Sequence, residues 1–396
     1  MFKLPRIEKD LLNYDLTNFP SVVILALIFF ISRIPFINLG FSTFSSKTDY
    51  DTLSVVNSAF LIRYNHVYTV SRFPGYPLYE FANALFIQNG WIATNTATMI
   101  VSFISVVVFG KILNIFKIEN RALLVIAFAF FPLLWINSVI TMDYMWALMF
   151  ILLGSYLAFK SKYSIAGIAI GFSVGMRFTS AFMIIPILFW AFSEKGNIRE
   201  ALAFVSISVI TALLLFWPVF SKYELEFLHG SGYLSTTPIM KPISMLSVSV
   251  GVSFNNMIME LFGIVALIFL IFFVIFSPKN RQFIERKQLL NFCWLTGFIF
   301  VSSYFIFPYK VPYLIPIIPW GLIAINEKLM KPYAIMVCIL LLLNSIVAVE
   351  IVNDGTPHIR LAAGTVIKNY EDRKISGLEQ SKRYMESLTE LSKNMK

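Results

Sequence analysis

The feature that most limits this chain is a succession of apolar runs, each near the ~20 residues that cross a bilayer as a helix. They occupy residues 20–39, 91–116, 122–140, 144–159, 201–220, 257–276, 289–308, 311–325 and 332–352. A longer apolar stretch, 162–194, is interrupted at Gly175-Met176-Arg177. Only 14% of residues are charged and 58% are apolar, against roughly 25% and 45–50% in soluble domains. A soluble domain of 396 residues carries more charge than this, and a disordered chain far less hydrophobicity. The chain therefore reads as an all-α polytopic membrane protein. The segment before the first run carries Lys3, Arg6 and Lys9 and is too polar for a cleaved signal peptide.

Basic residues set the orientation. The net charge is +10, but the cations sit in short loops between apolar runs rather than in one stripe. They act as topology signals, and nucleic acid is not an expected partner. Lys117 and Arg121, then Lys279, Arg281, Arg286 and Lys287, then Lys328 and Lys331 read as cytoplasmic. Lys160 and Lys162 precede the interrupted stretch, and Lys195 and Arg199 follow it. If both flanks are cytoplasmic, it crosses twice and Arg177 lies at the outer turn; a re-entrant pair is the alternative. The expectation is about eleven spans, with the N-terminus cytoplasmic and the C-terminus outside. Residues 1–352 make the membrane domain, loops 40–90 and 221–256 face outward, and 353–396 is a short external tail, helical over 371–393. Residues 51–64 and 77–87 repeat apolar positions at helical spacing and read as interfacial helices in the first external loop; a short span is the alternative for 77–87, but it would disturb the alternation. Cys293 and Cys338 lie in apolar runs without disulfide or zinc spacing.

Charge at membrane depth costs ~2.5–3.5 kcal/mol on insertion scales, so the ionisable residues near span ends carry information. Asp49 and Asp51 follow the first span, Asp143 lies in the turn Thr141-Met142-Asp143-Tyr144, and Arg177 in the turn just described. Arg33 and Lys310 sit at outer span ends, Lys310 in Phe307-Pro308-Tyr309-Lys310. The derived topology puts all of them on one side. Each also has a structural reading. Asp51 or Asp143 can start a helix. Arg177, Arg33 and Lys310 can snorkel to headgroups, the favoured reading for the last two. His66 and His229 read first as surface residues of outer loops.

The order of these pieces resembles the GT-C glycosyltransferases, polytopic enzymes using polyprenyl-phosphate-linked sugars. The nearest likeness is to protein O-mannosyltransferases and lipid A aminoarabinose transferases. The acidic pair Asp49 and Asp51 follows the first span. Then come Arg72-Phe73-Pro74-Gly75-Tyr76-Pro77-Leu78-Tyr79, Asp143-Tyr144, a glycine-bearing helix with Gly167, Gly171 and Gly175 ending at Arg177, and Tyr309-Lys310-Val311-Pro312-Tyr313-Leu314-Ile315-Pro316-Ile317-Ile318-Pro319. The likeness covers roughly residues 32–325. This chain departs from it in having Asp-Tyr-Asp rather than adjacent acids, and in lacking a large external domain.

That resemblance implies a GT-C-like bundle in a plasma membrane, active on the external face. The donor would be a polyprenyl-phosphate-linked hexose or pentose, and the acceptor a hydroxyl on protein, glycan or lipid. Asp49, with Asp51 second, would deprotonate the acceptor, which attacks with inversion. Arg177, with Lys310 or Arg72, would stabilise the departing phosphate. Asp143 would position the acceptor, and Tyr309 and His229 complete the substrate-binding set. If a divalent cation is used, Mg²⁺ or Mn²⁺, Asp49 and Asp51 would supply oxygen ligands. The competing class is a lipid or polysaccharide transporter or flippase. Transporters concentrate charge near the midplane of repeated halves, whereas these charges gather at one face.

Overall fold

The structure, a computed structural model, describes residues 12–41, 50–195, 198–224, 263–276, 286–306, 311–353 and 357–394. Its helices are α1 (Phe19–Ile31), α2 (Tyr50–Phe60), α3 (Pro77–Phe86), α4 (Gly90–Ile115), α5 (Arg121–Ala129), α6 (Pro132–Asn137), α7 (Tyr144–Phe159), α8 (Tyr163–Met176), α9 (Ile184–Lys195) and α10 (Ile198–Tyr223). Beyond these lie α11 (Ile264–Phe276), α12 (Lys287–Ile306), α13 (Ile318–Lys328) and α14 (Lys331–Leu343). A hairpin of β1 (Val347–Asn353) and β2 (Pro357–Ala363) follows, then α15 (Thr365–Asp372) and α16 (Leu378–Asn394). The protein is predominantly helical. Among the described residues three helical stretches are long and apolar enough to cross a membrane: Pro77–Ile115, Ile198–Tyr223 and Lys287–Phe305.

Several apolar runs depart from the expected single spans, and two of them show why. Run 122–140 breaks after Ala129, and α6 restarts at Pro132, because a residue before proline is pushed out of the helical region. Run 332–352 is helical only to Leu343. The β-branched residues beyond it pair antiparallel with 357–363, Val347 opposite Ala363 and Val349 opposite Leu361. Hydropathy cannot separate an apolar strand from an apolar helix end, since both are simply oily.

Contacts divide the chain into two compact units. Among the described residues of the first, which lie within 12–29, 106–135 and 263–368, three expected cytoplasmic loops converge. Arg286 pairs with Glu327 at 2.7 Å and donates to the Lys117 carbonyl at 3.0 Å. Asn326 accepts from Asn120 at 3.0 Å and donates to the Glu119 carbonyl at 3.1 Å. Arg121 donates to the Asn13 carbonyl at 2.6 Å.

The second unit (30–105, 136–224 and 369–394) packs α8 between α7 and α10. Gly167 and Gly171 recur every fourth residue on α8, and α10 fills the space their side chains would need. A Cβ at Gly171 would stand 2.4 Å from Thr211 Cβ, and one at Gly167 2.8 Å from the Phe204 carbonyl oxygen. This is the small-residue seam by which membrane helices approach closely. Gly171→Leu is expected to cost about 1–3 kcal/mol through overpacking, measured as a lower midpoint in detergent melts.

Both helices read as interfacial bury one side against protein. α2 packs Val55 against Tyr76, Tyr79 and Met176, and Val56 and Phe60 against Phe41, Ile87 and Leu388 of α16. α3 buries Glu80 and Asn83 while exposing Phe81 and Leu85. On α10 Leu214 and Trp217 are exposed, whereas Thr94, Asn95, Thr98, Ser102 and Ser105 of α4 are buried. Polar inside and oily outside suits a membrane, where the surrounding solvent is itself apolar.

Candidate functional site

The turn 138–143, left between α6 and α7, is a meeting point. α4 supplies its seat. Thr141 donates to Asn95 Oδ1 at 2.9 Å and shares a 2.6 Å hydrogen bond with Thr94. Asn95 donates in turn to the carbonyls of Ile37 and Gly40, at 3.1 and 3.0 Å. The turn and the end of the first apolar run are thus held by one buried amide.

Asp143 stands at the N-cap position of α7, but its carboxylate caps nothing. It accepts instead from Arg72 Nη2 at 2.9 Å and from Arg177 Nη1 at 2.5 Å. Arg72 Nη1 reaches Asp51 Oδ2 at 3.0 Å. The side chain of Asp143 is fully buried, that of Arg177 nearly so, and Asp51 is 29% exposed. Two aromatic rings cover the cations. Tyr76 lies 4.4 Å below the Arg72 guanidinium, and Tyr144 4.4 Å from that of Arg177. Arg177 occupies the extended residue where α8 stops, so its side chain leaves the helix end sideways.

Arg72 is aimed by its own loop. Its carbonyl accepts from the Gly75 N–H at 2.7 Å, closing a turn in which Gly75 has φ +104°, a conformation glycine adopts without strain. Next to it Glu80 of α3 accepts from the Ser71 N–H and hydroxyl, both at 2.6 Å, and from the Tyr68 hydroxyl at 2.7 Å. Lys222 of α10 donates to the Tyr68 carbonyl at 2.6 Å. Glu80, Asn95 and Thr141 escaped the sequence reading. The available signal was a carboxylate in the apolar helix 77–86 and a Thr-Asn-Thr group opening an otherwise apolar span.

Electrostatics lock the group in its ionised form. Burial raises the Asp143 carboxyl, but the Arg177 and Arg72 guanidiniums overcome it and hold the group below the usual carboxylate value. Burial likewise lowers Arg72, and Tyr76, Asp143 and Asp51 more than reverse it. Because the folded value of Asp143 is depressed, its stabilisation is complete above the unfolded value near ~3.9. It is lost as pH falls through the lower folded value. Thermal midpoints followed from pH 8 to pH 5 are expected to show no step from this group, with loss only in stronger acid. A transition near neutrality that vanishes in Asp143→Asn would contradict the assignment.

Two more arginines reach the same turn. Arg33 is fully buried and donates through Nε to Ser138 Oγ at 2.9 Å, so the snorkelling expected of it is replaced by an internal contact. Arg373, from the tail, donates to the carbonyls of Val139 and Gly40 at 3.2 Å and of Phe36 at 3.4 Å. Burial lowers its pKa to about 9.

Of the residues singled out from sequence, Asp51, Arg72, Asp143 and Arg177 come together. Asp49, His229, Tyr309 and Lys310 lie outside the described residues, and His66 is exposed on a loop. The described donors do not make a cation site. Asp51 is ion-paired to Arg72, and no three of His, Cys, Asp or Glu cluster among the described residues. Comparison of the chain with protein-family models, with curated proteins and with solved structures finds no match in any of the three.

Proposed function

We propose that this chain is a polytopic membrane glycosyltransferase. It moves a sugar from a polyprenyl-phosphate donor to an acceptor hydroxyl, with inversion, on the non-cytoplasmic face of a plasma membrane. One observation carries the reading: Asp51, Arg72, Asp143 and Arg177, drawn from four separate segments, form one continuous ion-paired chain. These are the positions at which the GT-C resemblance expects acid and phosphate-binding groups. The convergence of loops 117–121, 286–287 and 326–328 supports the orientation, since the basic loops share one end of their unit. The about eleven spans of the charge-derived topology belong to the same reading.

Bond breaking places rising negative charge on the departing phosphate, and a preorganised guanidinium pair answers it without reorganising. Asp143 serves as their fixed counter-ion. It is buried, strongly anionic and already twice hydrogen-bonded, which makes it a poor base. The base belongs to the acidic pair, Asp49 first and Asp51 second. Asp51 spends part of its charge on Arg72.

The test uses purified full-length protein in lipid nanodiscs with polyprenyl-phosphate-linked mannose, glucose and aminopentose. Release of free polyprenyl phosphate with at least one donor is the expected result. Movement of intact donor across reconstituted vesicles, with no release from any of the three, would establish the transporter class instead.

A further inference from the structure

The tail of the second unit spends a buried charge. Arg373 is 1% exposed, and its Nε and Nη1 have no partner among the described residues. Its Nη2 donates to the carbonyls of Phe36, Gly40 and Val139. A buried cation answered by carbonyls rather than by an acid is costly, and apolar packing would fasten a tail more cheaply. What the guanidinium adds is direction, since hydrogen bonds fix how two separate segments sit against each other. Arg373 also opens a π-helical turn, Arg373–Gly377, between α15 and α16. Such turns are rare and often mark functional sites.

Beyond that turn α16 reaches the same side of the site. Ser381 Oγ accepts from the Phe41 N–H at 2.9 Å. Beside it Gly40 has φ +83°, and a Cβ there would stand 2.5 Å from the Gly377 carbonyl oxygen. The Tyr384 hydroxyl donates at 3.1 Å to the carbonyl of Leu53, just past Asp51, and Leu388 packs with Val56 and Phe60 of α2. These contacts fall on α2, which carries Asp51, and on the turn that holds both Val139 and Asp143. The arginines of the site are held by other elements: Arg72 by the loop that Glu80 ties down, Arg177 by the end of α8.

We infer that residues 373–388 are a positioning element that sets the Asp51-bearing start of α2 against the Asp143 turn. Its part in catalysis rests on the sugar-transfer reading.

Arg373→Gln in the full chain, in lipid nanodiscs, tests this by two readouts. Hydrogen exchange followed by mass spectrometry needs no activity. Protection should fall over 36–41, 50–60 and 138–143 and hold over 68–76 and 171–177. Equal loss in both sets would mean a general weakening of the fold, and no loss an idle contact; either overturns the inference. The second readout is the single-turnover rate of polyprenyl phosphate release, which does not depend on the fraction of active molecules. It should fall by about 10²-fold, the effect of a displacement of about 1 Å. Arg373→Lys keeps donors for the carbonyls and should regain part of that rate. An unchanged rate beside a changed exchange pattern would also overturn the inference. If Arg373→Gln does not fold, Tyr384→Phe removes a single hydroxyl and should raise exchange over 50–60; unchanged exchange there counts against the element. No release from the unmodified chain would sink the transfer reading instead, and the exchange pattern would still decide the geometry.

Discussion

Asp143→Ala is expected to lower the stability of the chain by about 3–5 kcal/mol, the cost of leaving a buried partner charge uncompensated. The magnitude follows from the arrangement rather than from the count of bonds. The carboxylate is fully buried and holds Arg177 at 2.5 Å and Arg72 at 2.9 Å. Its removal takes that carboxylate from both guanidiniums, while Arg72 keeps its pair with Asp51. Removing a cation as well should recover part of the loss. Asp143→Leu with Arg177→Leu is therefore expected to melt above Asp143→Leu alone, giving a coupling of the size found between contacting residues, about 0.5–3 kcal/mol. Melting followed by tryptophan fluorescence in detergent measures these variants together with Arg177→Leu alone, which completes the cycle. Additive losses would mean that the two side chains do not share a pair.

Asp49→Asn is expected to reduce sugar transfer by about 10²–10⁴-fold, the usual contribution of a positioned general base, with little change in melting. The prediction rests on the proposed activity and on what Asp51 does. The carboxylate of Asp51 is already engaged with the Arg72 guanidinium at 3.0 Å. Asp51→Asn should act differently. It loosens Arg72, and with it the phosphate contacts, so the donor KM should rise along with a fall in kcat. Initial rates across donor concentration, in membranes with matched expression, separate the two variants. Full activity in Asp49→Asn would remove that residue from the chemistry.

Much of the site was legible because charge in an oily chain is conspicuous. Asp51, Asp143 and Arg177 stood out as costs that an apolar context does not bear without return, Arg72 was marked through the resemblance alone, and all four meet. The seats of these residues were less visible. Asn95 and Thr141 are short, common polar residues, and their importance lies only in where their hydrogen bonds end. Arg33 read as a headgroup cation because its position at a span end is ambiguous, whereas the fold closes protein around it. The tail read as an external appendage, yet Arg373 and Leu388 are buried in the second unit. Nothing local in residues 365–394 marks which part of the chain they cover.

The oily runs alone pointed to a helical chain with stretches long and apolar enough to cross a membrane, because runs of this length have few ways to satisfy their backbone groups away from water. Charge spacing alone singled out the residues worth explaining. Tertiary structure decided who pairs with whom: that Asp143 is a counter-ion rather than a helix cap, and that residues 347–363 turn from helix into a hairpin. It also decided that two of the glycine positions close a helix seam. Those outcomes depend on contacts between residues far apart in the chain, and periodicity within a segment carries no record of the partner that segment will meet.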